Sequence, residues 1–347
     1  MRQPTLSLLV FGLLASTLAC PPSFADSDGK GSGIGGPVAS RSKRKRRFGV
    51  DPAELSKSQK AERLKGIEKE YESLKRNQDI LQVRTRRNRV NFVGDMRYEQ
   101  SGKFLKKVFD GDRDKRTRVA ALVAIGKSGD FEIIQYAVKK CITWAKKDTV
   151  YALSIPRMFK NCRHPDAGTW LLTRLSGVKD QFVLAALVEG LGHTGEPKAV
   201  PALLKLATKS KYVPVRFEAL RALGSCGGKE VVTDLLPMLT EEDWRLRMAA
   251  AEGLGRTGER EIIPQIAKLI GSTETPIVVE SATEAIGALG GKTAVEPLIE
   301  CLRVGRLRAR NKARHLLIGI ARDEFRQKKD YFTDPNAWAS WWKKGCP

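Results

Sequence analysis

The sequence is poor in the residues from which metal centres and disulfide frameworks are built. Its 347 residues include three histidines and six cysteines. The two closest cysteines, Cys141 and Cys162, are 21 residues apart, so there is no C-x-x-C redox or zinc motif. The histidines His164, His193 and His315 are equally scattered. We therefore predict no metal site and no cofactor, and we expect Cys141 and Cys301 to be small buried residues within helices.

Long apolar stretches are also missing beyond the first 25 residues. Met1-Arg2 precedes an apolar run from Leu6 to Ala19, and Ser23-x-Ala25 ends the segment. This pattern predicts a secretory signal peptide over 1–25, cleaved before Asp26, and hence an exported, periplasmic or secreted protein with no transmembrane span in the mature chain. Cys20 leaves open the alternative of a lipid-anchored protein.

Acidic residues are too few to balance the basic ones. There are 62 Lys and Arg against 39 Asp and Glu, a net charge of +23. Glycines followed by a basic run make 26–50 a predicted disordered linker. The basic residues of this run are candidate contacts for an anionic surface or polymer: Arg41, Lys43, Arg44, Lys45, Arg46 and Arg47.

The next segments combine charge with helix signals. Asp51 and Pro52 are suited to a helix start, and Leu64, Ile67, Tyr71 and Leu74 follow with helical spacing. The pattern predicts one long charged helix over 51–83. Residues 84–111 are rich in Arg and Lys and are predicted to form a basic connector to the remainder of the chain.

From residue 112 onwards the chain repeats. An Ala- and Leu-rich segment ending in glycine recurs with glycines spaced by 31 or 32 residues, and a degenerate copy, Ile155–Pro165, lies between the first two. We expect each of these glycines to adopt the left-handed conformation that ends a helix. They are Gly126, Gly192, Gly224, Gly255, Gly287 and Gly319.

Each repeat is predicted to form two short antiparallel helices, the second entered near a proline such as Pro201 or Pro264. Such helices cannot bury their apolar faces alone, so neighbouring pairs must stack. The sequence therefore predicts an all-α protein, a right-handed α-solenoid of about seven hairpins over 112–347. Three tryptophans, Trp338, Trp341 and Trp342, share one face of a last helix and are predicted to cap the stack.

The runs Arg216–Gly227 and Arg247–Pro264 resemble the HEAT-repeat proteins, in particular the short bacterial type also found in phycobilisome lyases. The resemblance covers about 112–320. It implies a binding platform rather than a specific activity. Iron-dependent HEAT hydroxylases carry His-Glu pairs that this chain lacks, so that activity is not expected. A chromophore-lyase-like function stays open as a minor alternative.

Two groups of arginines were assigned roles from their positions. Arg118, Arg216 and Arg247 lie eight residues before their repeat's glycine, which predicts a structural ladder pairing with carboxylates such as Glu242 or Asp243. Arg306, Arg310 and Arg314 belong to the densest basic cluster of the repeats and are further candidate polyanion contacts.

No nucleophile, base and metal set converges in the sequence, so we predict no catalytic residues and no enzyme activity. The preferred function is an exported scaffold that binds a protein partner through its concave face, with the basic N-terminal region attaching to an anionic envelope polymer or membrane surface. The alternative is a nucleic-acid-binding protein whose N-terminal signal is misinterpreted.

Overall fold

The computed structural model describes residues 51–271, 273–327 and 330–345. This part of the chain contains α-helices and short 3-10 turns and no β-strand. The predicted all-α solenoid is confirmed. The predicted signal peptide 1–25 and linker 26–50 lie outside the described residues.

The described part consists of one leading helix and eight helical hairpins. The leading helix is α1 (Lys57–Leu74). The hairpins, in chain order, pair α2 (Ile80–Asp95) with α3 (Gly102–Gly111), α4 (Lys115–Ser128) with α5 (Phe131–Ala145), α6 (Ile155–Phe159) with α7 (Ala167–Thr173), α8 (Gln181–Thr194) with α9 (Val200–Lys209), α10 (Val213–Gly227) with α11 (Val232–Leu235), α12 (Trp244–Arg256) with α13 (Ile263–Ala267), α14 (Pro276–Leu289) with α15 (Val295–Val304), and α16 (Leu307–Phe325) with α17 (Pro335–Lys343).

The first helices of the hairpins form one continuous layer. Each packs against the first helix of the preceding and the following hairpin, whereas consecutive second helices touch only weakly. Small residues allow this approach: a Cβ on Gly192 would lie 2.9 Å from the Cβ of Ala222, and a Cβ on Gly255 would lie 2.8 Å from that of Ala285. Because glycine meets alanine at the same register in successive hairpins, the first helices run parallel.

The role expected for the repeat glycines was therefore wrong. Gly126, Gly192, Gly224, Gly255, Gly287 and Gly319 lie inside their helices. The left-handed conformation belongs to glycines three or four residues later, such as Gly129 (φ +83°) and Gly195 (φ +65°). The repeat glycine is needed for space instead, as at Gly224, where a Cβ would lie 1.9 Å from the carbonyl oxygen of Gly253.

The N-terminal part of the stack also differs from the prediction. In place of one helix over 51–83, α1 ends at Leu74 and α2 begins at Ile80, because Asp79 caps the new helix through the backbone N–H groups of Leu81 and Gln82. The predicted connector 84–111 forms most of α2 and all of α3. It is the first hairpin of the solenoid, with Gly94 packed on Ala124 of α4.

A buried ion pair joins α1 to this first hairpin. The guanidinium of Arg86 is fully buried, and its Nε lies 3.1 Å from Oδ2 of Asp112. Nη1 of Arg86 donates to the carbonyl oxygens of Leu74 and Asn77, at 2.7 and 2.5 Å, and Tyr71 donates its hydroxyl to Asp112 at 3.0 Å. These bonds satisfy the carbonyl groups exposed where α1 ends.

The other end of the stack is closed by tryptophans. Trp338 is fully buried and Trp341 nearly so, and α17 packs against α15, the second helix of the preceding hairpin. Nε1 of Trp342 donates to Glu296 at 3.2 Å. The rings therefore cover apolar surface that a further hairpin would otherwise cover.

Candidate functional site

The densest group of buried charges lies in the layer of first helices. Glu189, Arg221 and Glu252 each lie three residues before a repeat glycine, on α8, α10 and α12 in turn. Glu218 precedes Arg221 by three residues and so shares its helix face. With His193 and Arg256, one turn further along α8 and α12, these residues form what we call the acid–base row.

At the centre of the acid–base row one guanidinium is held between two carboxyl groups. Nη1 of Arg221 donates to Oε1 and Oε2 of Glu218 at 3.1 and 2.8 Å. Nε of Arg221 lies 2.6 Å from Oε2 of Glu252, an ion pair in which the N–H is not aligned as a hydrogen bond. The side chains of all three are less than a tenth exposed. Ser281 on α14 donates its hydroxyl to Glu252 at 3.4 Å.

Carboxyl groups outnumber guanidiniums in the acid–base row. Glu189, Glu218 and Glu252 face Arg221 and Arg256, so one negative charge has no full partner in poorly hydrated surroundings. Burial raises the pKa of Glu218 to about 8, despite the opposing charge of Arg221. Burial also raises the pKa of Glu189. Glu218 is thus the carboxyl group that retains a proton most readily.

The rim of the acid–base row is more open. His193 lies 3.9 Å from Glu189, and its side chain is 29% exposed. Burial, together with the charges of Arg256 and Arg221, lowers the pKa of His193 to about 4, so the imidazole is neutral at pH 7. Arg157 and Lys160 are exposed on the preceding hairpin, and their charges act on Glu189.

The predicted arginine ladder is present in the structure, with different carboxylate partners. Each guanidinium contacts the preceding second element: Nε of Arg118 donates to the carbonyl of Phe109, and Nε of Arg216 to that of Ala207. Each also contacts the following hairpin. Nη2 of Arg216 lies 2.6 Å from Glu241, and the guanidinium of Arg118 stacks over Trp144 at 4.2 Å.

Arg247 has the most complete set of ladder contacts. It binds Glu274 through Nε and Nη2 at 2.9 and 2.7 Å, and its Nη1 donates to the carbonyl of Glu241 at 2.6 Å and to that of Glu242 at 3.0 Å. The expected carboxylates Glu242 and Asp243 do not bind it with their side chains. Asp243 caps α12 instead, because an N-cap must accept a backbone N–H.

The predicted polyanion contacts are not brought together. Arg41, Lys43, Arg44, Arg46 and Arg47, with Lys45, lie outside the described residues. Arg314 pairs with Asp330, whereas Arg306 is exposed at the start of α16. Nε of Arg310 is buried and has no hydrogen-bond partner within the described part of the chain. The neighbouring Lys312 pairs with Glu280 and Glu284.

The described cysteines are free thiols. Cys141 and Cys301 are fully buried within helices, as expected, and burial raises the pKa of Cys141 to about 12. Over residues 51–345, where described, no three His, Cys, Asp or Glu side chains come close enough to hold a metal ion. No helix in the same residues is both long and apolar enough to cross a bilayer.

Comparison with known proteins identifies the repeats. The family model for HEAT repeats matches residues 168–253 and 232–318, the part of the stack that carries the acid–base row. The chain is a HEAT-repeat protein. In this HEAT-repeat protein the matched segments comprise α8 to α16 with most of α7, so the remaining hairpins are assigned by their structure alone.

Three cyanobacterial proteins, each named phycocyanobilin lyase subunit alpha, share part of this HEAT-repeat sequence. The protein of Nostoc sp. is 34% identical over 98 residues, which are 25% of this chain and 35% of the relative. That of Synechococcus elongatus is 31% identical over 123 residues, 35% of this chain and 38% of the relative. That of Picosynechococcus sp. is 29% identical over 101 residues. The chain thus matches little more than a third of the length of these relatives.

Sequence reasoning missed two features of this HEAT-repeat protein. The first hairpin was missed although Gly94 precedes Gly126 by one repeat length and Arg86 lies eight residues before Gly94. The acid–base row was missed because its members are 31 or 32 residues apart. A comparison of the residues three before each repeat glycine would have shown it.

Proposed function

We propose that this HEAT-repeat protein is an exported, non-enzymatic scaffold that binds a protein partner on the layer of first helices. The acid–base row is the observation that carries the proposal. Fixed charges of both signs on neighbouring rigid helices offer a partner a defined polar pattern, and their mutual bonds lower the entropic cost of binding.

The geometry of the layer supports this choice of face. First helices lie closer to one another than second helices do, so the first layer is on the inner side of any curvature of the stack. An inner face surrounds a bound chain with several helices at once. Arg157, Lys160 and His193 lie at its open rim and are accessible to a partner.

Site-specific photocrosslinking in the native cell tests the proposal. A photoreactive amino acid is placed at Arg157 or His193 in the first layer and, as matched controls, at Lys205 or Thr208 on the exposed side of α9. We expect both first-layer positions to crosslink the same protein and the controls not to. Equal yields from the two layers, or adducts with unrelated proteins only, would contradict the proposal.

Export and attachment are further parts of the proposal. The apolar N-terminal segment supports export, and the basic residues 41–47 support contact with an anionic envelope surface. N-terminal sequencing of the native protein is expected to begin at Asp26. A chain that retains Met1 in the cytoplasm, together with salt-dependent DNA binding, would favour the nucleic-acid alternative.

The similarity to phycocyanobilin lyase subunits favours a second candidate, a chaperone-like or lyase-like role with a tetrapyrrole. Titration of the protein with phycocyanobilin decides this point. A shift of the pigment's absorbance that saturates at one equivalent would support it, and an unchanged spectrum would remove it.

A further inference from the structure

Five of the six large hydrophobic side chains that are exposed in the described residues lie at or just before the start of a first helix. They are Ile80, Leu81, Val150, Trp244 and Leu307, with exposed fractions from 36% to 82%. Since the first helices run parallel, these positions all belong to one edge of the stack. Such side chains are rarely grouped on a surface that faces only water.

The most exposed pair lies at the N-terminal end of this edge. Ile80 is 82% and Leu81 68% exposed, as the first two residues of α2. Asp79 already caps the helix, so neither side chain is needed to begin it. Arg84 is exposed on the same helix face as Ile80, one turn further on, and Arg76 is exposed in the preceding loop.

The adjacent hairpin continues the same pattern. With the 32-residue register set by Gly94 and Gly126, Arg113 is the counterpart of Leu81, and Arg116 is the counterpart of Arg84. Both are exposed at the start of α4. None of Arg76, Arg84, Arg113 and Arg116 has a carboxylate partner in the part of the chain that the structure describes. We name these four arginines with Ile80 and Leu81 the N-terminal edge patch.

We propose that the N-terminal edge patch binds the surface of an anionic phospholipid bilayer, with Ile80 and Leu81 entering the headgroup region and the four arginines contacting lipid phosphates. Aliphatic side chains flanked by unpaired cations are the combination that an interfacial membrane site requires. A nucleic acid would use the cations but would leave two aliphatic side chains in water, and no aromatic ring lies in the patch for base stacking. The basic residues 41–47 of this chain have the wrong charge to cover it.

This inference rests on the anionic-surface part of the proposed function and assigns it to particular residues. The first test is cosedimentation of the full chain with vesicles of phosphatidylcholine alone or mixed with phosphatidylglycerol. We expect binding to the mixed vesicles only. Ile80→Ser with Leu81→Ser should lower that binding about tenfold or more, since two aliphatic side chains lose their transfer from water. Absence of binding by the unaltered chain would contradict both the inference and this part of the proposed function.

Matched variants separate the patch from general adhesion. Leu307→Ser removes a leucine of similar exposure beside Arg306 and Arg308 at the opposite end of the stack, and it should leave binding unchanged. Arg84→Glu with Arg116→Glu should lower binding more than tenfold. Lys198→Glu with Lys205→Glu, the same charge change elsewhere, should lower it less. All variants retain residues 41–47, so that segment contributes equally to each.

Two outcomes would overturn the inference while leaving the proposed function in place. If the serine pair binds mixed vesicles like the unaltered chain, attachment depends on residues 41–47 or other cations. If the serine pair and the charge variants weaken binding to duplex DNA and to vesicles equally, the patch is not a bilayer site. We expect the serine pair to bind DNA like the unaltered chain, and its melting temperature to change by no more than about 2 °C because both positions are exposed.

Discussion

At the scale of single residues, the buried charges of this protein have two distinct roles. The ladder arginines, Arg86 included, bond to carbonyl oxygens at the end of one hairpin and to a carboxylate or ring of the next, and so fix neighbouring hairpins to each other. The acid–base row instead collects an excess of carboxyl groups. The first arrangement is fully partnered and stabilising, whereas the second retains unbalanced charge of the kind found at binding sites.

Substitution of Glu218 should change the pH dependence of stability. The pKa of Glu218 is about 8 in the folded protein against an ordinary value of 4.5, so the folded state holds a proton that the unfolded state has lost between these pH values. Stability from this group is therefore complete below pH 4.5 and falls as the pH rises to 8. Glu218→Gln should flatten this decline, raising the melting temperature at pH 8 by about 3 °C or more relative to the unaltered chain.

Melting curves at several pH values, recorded by circular dichroism, check this expectation. Glu230→Gln is the control, because Glu230 is exposed on the loop after α10 and lacks such surroundings. Parallel declines for both variants and the unaltered chain would show that Glu218 does not hold the proton. His193, whose pKa is lowered to about 4, acts with the opposite sign, since its contribution is lost as the pH falls from 6.5 to 4.

Removal of a ladder arginine should weaken the stack. Arg247→Ala leaves Glu274 and the carbonyl groups of Glu241 and Glu242 without their partner. We expect a loss of about 2 kcal/mol in the free energy of unfolding, measured by urea denaturation. Arg322→Ala, which removes an exposed guanidinium paired with the adjacent Asp323, should cost less than about 0.5 kcal/mol. Similar losses for the two variants would argue against the ladder.

At the scale of the helices, the close approach of the first layer is governed by glycine. Gly224→Ala places a methyl group 1.9 Å from the carbonyl oxygen of Gly253, so α10 and α12 must separate. We expect a loss of about 2 to 3 kcal/mol. Gly66→Ala in α1 meets no atom within 4 Å and should stabilise the protein by about 0.5 to 1 kcal/mol, because alanine favours a helix more than glycine does.

Chemical denaturation of both alanine variants measures these changes. A stabilising or neutral Gly224→Ala would mean that the first helices are not held at this distance in solution. The opposite signs expected for one type of substitution distinguish a packing effect from a general effect of helix propensity.

The helical repeats could be predicted from the sequence because each is local. Alternating small and apolar residues, helix-starting prolines and a regular glycine spacing all lie within about 30 residues of one another. The exact reason for each glycine could not, because the neighbour of Gly224 is a backbone atom one hairpin away. The acid–base row was hidden for the same reason, since Arg221 meets Glu252 only after the hairpins stack. The break between α1 and α2 was missed because Asp79 was not considered as a cap.

At the scale of the whole described stack, stability passes from neighbour to neighbour. Trp338 is fully buried against the last hairpins, and Trp338→Ala should cost about 3 to 5 kcal/mol locally. Since hairpins contact only their neighbours, we expect hydrogen exchange to accelerate strongly in α15 and α16 and little in α2 to α4.

Hydrogen exchange followed by mass spectrometry resolves the two ends. Trp342→Ala, at the partly exposed edge of the same helix, is the milder control. Uniform acceleration from α2 to α16 in the Trp338→Ala chain would show that the stack unfolds as a single cooperative unit instead.

The equal register of glycine on alanine in successive first helices also limits how this protein can change in length. A single residue inserted ahead of Gly192 would turn the rest of α8 by about 100° and bring a bulky side chain to the contact with Ala222. Insertions of one complete hairpin keep every contact. Gene duplication can therefore extend or shorten the protein's reach only in fixed steps of about 10 Å, each one hairpin wide.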